Sequence, residues 1–278
     1  MYLLISRNRI FNFPFSNFIQ VLCRLVMQLI KQIYHFILSS NLFISVGAVC
    51  LCIETIQANN SHLAALPFYG FIFFATLTTY NLYYIKSKVY TYAMPLTLIG
   101  CIGSMICFWF TEPISFYPLA LLVLLSVLYI LPVFIRIPKL IFYKGFKVIL
   151  LAFIWTICTY ILPLSLPHIS YNSSSMILLG IHRFLFMLIL CYHFYIKDEV
   201  IWAYRRNYFL LLAGMLILLL GLSFYLSSIF ILQAISLSLI SYVFYVSKRT
   251  QWQYLFAIDG MMYFIPLSMS ISSIFVHV

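Results

Sequence analysis

Three sets of polar side chains recur at helical spacing and together suit the recognition of an anionic head group. Asn81, Tyr84 and Lys88 fall at i, i+3 and i+7; Tyr195, Asp198, Glu199 and Trp202 at i, i+3, i+4 and i+7; Lys144 and Lys147 at i and i+3. Residues at these separations share a face of a helix. Lysine offers a compact positive charge with three donors, which suits phosphate oxygens, and Asp198 and Glu199 are the carboxylates of the group. A cavity gathering the three helix ends is basic, opens to the cytosol and takes a charged head whose apolar tail lies between helices. The same residue types are also ordinary at a membrane interface, so both readings stand.

Three further ionisable residues, Glu54, Arg183 and Asp259, sit inside apolar runs, where each costs at least a few kcal/mol on insertion scales. Arg183 and Asp259 are expected to pair, in a structural or a functional role. Glu54, near the end of its run, is expected to be hydrated. Cys23, Cys50, Cys52, Cys101, Cys107, Cys158 and Cys191 lie almost wholly in apolar stretches with no CxxC pair, and read as packing residues. Glycine pairs such as Gly100 and Gly103 read as weak packing signals.

The elements that must carry these residues are helices in lipid. Of the chain, 65% is hydrophobic and 8% charged, where soluble domains have about 25% charged residues, so water cannot solvate most of it. The fold class is all-α and polytopic, with an interfacial N-terminal segment at 1–35 and a transmembrane domain at 36–278. Residues 19–34 read as an amphipathic stretch on the cytoplasmic interface. Apolar runs at 36–57, 65–85, 92–110, 115–135, 145–165, 174–196, 207–225, 227–246 and 254–276 predict nine crossings, the division between the seventh and eighth being least marked. Basic residues test that count. Arg7, Arg9, Arg24 and Lys31 precede the first run; Lys86 and Lys88 follow the second, Arg136, Lys139 and Lys144 the fourth, Lys197, Arg205 and Arg206 the sixth, Lys248 and Arg249 the eighth. The alternate connections contain none, which places the N-terminus in the cytoplasm of a bacterial inner membrane. The formal charge of +11 is explained by that distribution rather than by nucleic-acid binding. Tyrosines at span ends, Tyr80, Tyr83 and Tyr84 among them, read as interfacial anchors.

Several stretches resemble the UbiA superfamily of intramembrane prenyltransferases, which have nine helices, an inside N-terminus and two Asp-rich motifs after helices two and six. Thr79 to Lys88 resembles the first motif region, its leading Asn being Asn81. His182 to Glu199 resembles the sixth helix and second motif of UbiA-like proteins of Bacteroidetes, with Arg183 to Phe186 matching RFLF and Asp198 matching the motif ending. Tyr143 to Thr156 resembles the fifth helix, with Lys147 and Trp155 at its spacing, and Asp259-Gly260 resembles a pair in the last helix. The resemblance implies a prenyl diphosphate donor, an aromatic or lipid acceptor, and magnesium held by carboxylates, here Asp198 and Glu199. Asn81 and Asp198 take the catalytic positions; Lys88, Lys144, Lys147 and Arg205 suit the diphosphate, and Tyr84 and Tyr195 the developing cation.

The departures are as specific as the matches. Leu82, Ile85 and Val89 stand where the first motif has Asp, Tyr195 replaces the first Asp of the second motif, and Trp202 occupies a position often acidic. Two carboxylates make a poor magnesium site. Three functions are compatible with this pattern: a divergent prenyltransferase, a non-catalytic lipid- or partner-binding subunit that keeps the cavity, or a transporter. The transporter reading lacks an internal repeat and a relay of ionisable residues.

Overall fold

The structure, a computed structural model, describes residues 23–29, 32, 36–37, 40–59, 63–85, 92–134, 144–167, 169, 173–198, 205–226, 228–247, 257 and 259–263. Among them no strand occurs, and the long helices run in chain order: α1 (Leu42–Ala58), α2 (Leu66–Tyr83), α3 (Ala93–Trp109), α4 (Phe116–Phe134), α5 (Lys144–Thr156), α6 (Ser173–Asp198), α7 (Arg205–Leu226) and α8 (Ser228–Ser247). Each of the first eight apolar runs is therefore a helix, α7 ending at Leu226 and α8 beginning at Ser228. Of the ninth run, 257 and 259–263 are described and helical; residues 23–29, within the stretch expected at the interface, are helical and exposed. Two segments, Gly145–Leu164 and Met176–His193, are long and apolar enough to cross a membrane, and Leu42–Ala58, Ala93–Trp109, Phe116–Pro132, Leu210–Leu226 and Phe230–Val243 are shorter apolar helices.

α1 lies at the centre. Ala48, Leu51, Cys52 and Ile56 are wholly buried, and the helix packs against α2, the end of α5 and, through Gly47 and Met262, residues 259–263. Consecutive helices α4 to α8 pack each on the next, and α4 also meets α2. The outward faces are apolar: Met105 of α3 is 69% exposed and Ile217 of α7 is 70% exposed. Such surfaces on helices this apolar have no polar face to offer water.

Two irregularities interrupt the regular helices. The first run does not begin as one helix at 36, because Asn41 adopts a left-handed backbone (φ 60°), the conformation asparagine tolerates best after glycine. The break exposes the Ser40 carbonyl. Asn81 answers it: its Nδ2 donates to Ser40 O (3.0 Å) and to Leu77 O (2.9 Å), while its Oδ1 accepts from Asn41 Nδ2 (3.2 Å). Asn81→Leu, which leaves Ser40 O and Asn41 Nδ2 buried without that partner, is expected to lower unfolding free energy by about 1–3 kcal/mol in a detergent titration. A change within about 0.3 kcal/mol would contradict this role for Asn81.

The second irregularity is the π-helical segment Ile157–Ile161, which continues α5 into the short turn Leu162–Leu164. Pro163 has no N–H to return to Thr159 four residues earlier, so the Thr159 carbonyl lacks its α-helical donor. Thr55 Oγ1 of α1 donates to it at 2.8 Å, and Cys52 Sγ approaches Cys158 O at 3.6 Å. The bulge thus joins α1 to α5 through backbone that an α-helix would have kept to itself. π-Bulges of this kind occur frequently at functional sites.

Candidate functional site

A half-open cavity of about 70 Å³ lies between α2, α4 and α5, lined by Thr76, Tyr80, Tyr83, Tyr84, Tyr129 and Trp155 with smaller apolar neighbours. Three helix faces converge to make it. Thr76, Tyr80 and Tyr83 repeat at i, i+4 and i+7 on α2, Ser126 and Tyr129 at i and i+3 on α4, Leu151 and Trp155 at i and i+4 on α5. Trp155 Nε1 donates to Tyr80 Oη at 2.7 Å, which fixes the indole edge, and the Tyr83 and Tyr129 rings stack with centroids 5.2 Å apart. Tyr84 stands edge-on to Tyr83 at 5.1 Å. The wall is apolar and aromatic with a few hydroxyls, the composition of a site for a hydrocarbon chain or a soft cation.

The predicted site residues separate in the structure. Tyr84 lines the cavity. Lys147 is half-buried on α5, one turn before Leu151 and two before Trp155 on the same face, so it stands toward the Lys144 end of the cavity. Asn81 does not line it; the amide expected to open to the cytosol is fully buried and engaged at the Ser40–Asn41 break. Lys144, Tyr195, Asp198 and Arg205 lie on described helices, but their side chains are outside the described residues, as are Lys88 and Glu199 altogether. Tyr80 and Tyr83, expected as interfacial anchors, are also walls of the cavity. Their i, i+4, i+7 register with Thr76 was the signal available in the sequence.

The ionisable residues within the apolar runs also differ from expectation. Arg183 pairs with Glu54, not with Asp259: Nη2 donates to Glu54 Oε1 at 2.5 Å and reaches Thr55 Oγ1 at 3.5 Å. Glu54, expected near the end of its run, is 1% exposed, like Arg183 itself. α1 and α6 present the two charges at one level, and a separation of 129 positions hides the pairing from any local pattern. Asp259 is buried in the 259–263 segment. The pair sits beside the π-helical segment, since Thr55 serves both Arg183 and Thr159. Next to it, His182 shares a 3.1 Å hydrogen bond with Ser223 of α7.

Comparison of the chain with protein-family models, curated proteins and solved structures finds no match in any of the three.

Proposed function

We propose that the chain is a multi-pass membrane protein, crossing the bacterial inner membrane nine times with its N-terminus in the cytoplasm, that binds the hydrocarbon chain of an anionic isoprenoid lipid in the aromatic cavity. The observation that carries this reading is the conjunction of the cavity walls with Lys147 on the same face of α5 as Trp155. An apolar chain end enters between Tyr80, Tyr129 and Trp155, and the diphosphate or similar head lies toward Lys147 and Lys144. The outward apolar faces of α3 and α7 support a lipid surrounding, and the alternating basic connections support the orientation.

Prenyl transfer is a second reading, favoured by the ring faces of Tyr83, Tyr84 and Tyr129, which suit a developing allylic cation. The residues do not fit magnesium at the first motif: Leu82 and Ile85 offer no oxygen ligand there. Among the described residues no three His, Cys, Asp or Glu converge as a metal site. Binding without turnover is the activity this site supports best.

Titration of the detergent-solubilised protein with farnesyl diphosphate and with farnesol, followed by tryptophan fluorescence, tests the reading. Saturable quenching by both is expected, abolished by the cavity-filling Ser126→Trp/Leu151→Phe pair. Lys147→Gln is expected to weaken diphosphate binding about tenfold, roughly 1.4 kcal/mol, and to leave the alcohol unchanged. Equal affinities of wild type and cavity-filled protein would refute the site. Formation of a prenylated product by the wild type, with an aromatic acceptor present, would select the transferase reading over simple binding.

A further inference from the structure

The pair between α1 and α6 is incomplete in a specific way. Arginine and a carboxylate form two parallel hydrogen bonds where geometry allows, but here the Nη2–Oε1 contact is made and the other two atoms are left over. Among the described residues, Glu54 Oε2 and Arg183 Nη1 of this pair are buried without a hydrogen-bond partner, and so is Oε1 of Gln57, on the same helix as Glu54. Gln57 comes three residues after Glu54, so it is on the same face one turn nearer the Ala58 end of α1, and its residue is partly exposed. The leftovers are two acceptors and one donor. Protonating Glu54 would serve one acceptor but would strand Arg183 as an uncompensated buried charge, at several kcal/mol.

We propose that Glu54, Gln57 and Arg183 form an internal binding site for a single water molecule. Water supplies two donors and an acceptor, the complement of what the three atoms lack, and buried waters typically make about three such bonds. It donates to Glu54 Oε2 and to Gln57 Oε1 and accepts from Arg183 Nη1, with no change in the charge of the pair. The site is entered from the Ala58 end of α1, past the partly exposed Gln57. Its consequence is that the buried ion pair stays connected to solvent: Arg183 and Glu54 are hydrated from one end of the bundle although neither is exposed.

The test is infrared difference spectroscopy of the protein in ordinary water and in oxygen-18 water. A sharp O–H stretching band that shifts with the isotope is expected, displaced or lost in Gln57→Leu, which removes one acceptor and no charge. Thr55→Val, which removes the Thr159 contact and the 3.5 Å approach of Arg183 Nη2 but none of the three atoms, is expected to keep it. No isotope-sensitive band that depends on Gln57 would overturn the proposal. Loss of the band in Thr55→Val would also overturn it, by placing the water at the π-helical segment. Hydrogen exchange of the Arg183 guanidinium gives a second reading: exchange within minutes is expected in the wild type and at least tenfold slower exchange in Gln57→Leu, and equal rates in the two would count against the site.

Discussion

Arg183→Leu is expected to remove about 3–5 kcal/mol of stability, because its guanidinium and the Glu54 carboxylate form a buried pair that cannot lose one member cheaply. Both residues are 1% exposed and the two groups meet at 2.5 Å. Removing one partner leaves the other charged group buried with no compensation, and it is that stranded charge, rather than the net worth of the pair, that sets the size of the effect. Glu54→Leu is expected to cost a similar amount. The double variant Glu54→Leu/Arg183→Leu is then expected to recover most of the loss, because two apolar side chains strand nothing. Unfolding titrations of the four proteins in detergent give the coupling energy directly. A double variant as unstable as the sum of the singles would mean the two residues do not act as a pair. Asp259→Asn provides the contrast: it leaves Arg183 with Glu54 and is expected to cost far less than Arg183→Leu, whereas equal costs would restore the Arg183–Asp259 pairing that the sequence suggested.

The second large effect is expected at Gly100. A Cβ there would lie 2.5 Å from Thr78 Oγ1 and 3.0 Å from both Phe74 O and Thr78 N, and a Cβ at Gly103 would meet the Phe74 ring at 2.6 Å. On the facing helix, a Cβ at Gly70 would stand 2.8 Å from Cys107 Sγ. α2 and α3 therefore approach closely at glycines on each helix, and at Gly100 two of the three nearest atoms are backbone, which cannot turn aside as a rotamer can. Helix propensity favours Gly→Ala by about 1 kcal/mol, but Gly100→Val adds branched volume against main chain and is expected to destabilise by about 3 kcal/mol. Gly214→Ala on α7, where nothing lies within 4 Å, is expected to stabilise by up to about 1 kcal/mol. The opposite signs of the two are checked in one thermal-unfolding series. A neutral Gly100→Val would show that α2 and α3 can separate without cost and that the glycines do not set their distance.

The positions of the helices are legible in the sequence, and for a local reason. An apolar run bounded by charge, Pro or Gly is a helix whatever it packs on, because backbone groups away from water must bond within their own segment. Eight of the nine runs accordingly appear as helices, all but the first within two residues of their expected limits when the π-helical continuation of α5 is included, with α7 ending at Leu226 and α8 beginning at Ser228. Polar residues within those runs, Glu54 and Arg183 among them, are conspicuous from their surroundings alone.

Partnership is not legible, because it depends on rotation and depth of helices far apart in the chain. Arg183 meets Glu54 rather than the expected Asp259, Tyr80 and Tyr83 of α2 meet Tyr129 and Trp155 around one cavity, and Gly100 and Gly103, weak packing signals in the sequence, lie against Phe74 and Thr78 of α2. The Asn41 break shows the same division: a helix-length apolar stretch contains a left-handed residue because Asn81, forty positions later, satisfies the carbonyl that the break exposes. Sequence by itself determined where the helices are and which polar residues lie within them, since both depend on the solvation of each segment. Only the tertiary structure decided which of those residues meet, since the energy of a buried polar group is settled by what lies a few ångströms away in space and not by its neighbours along the chain.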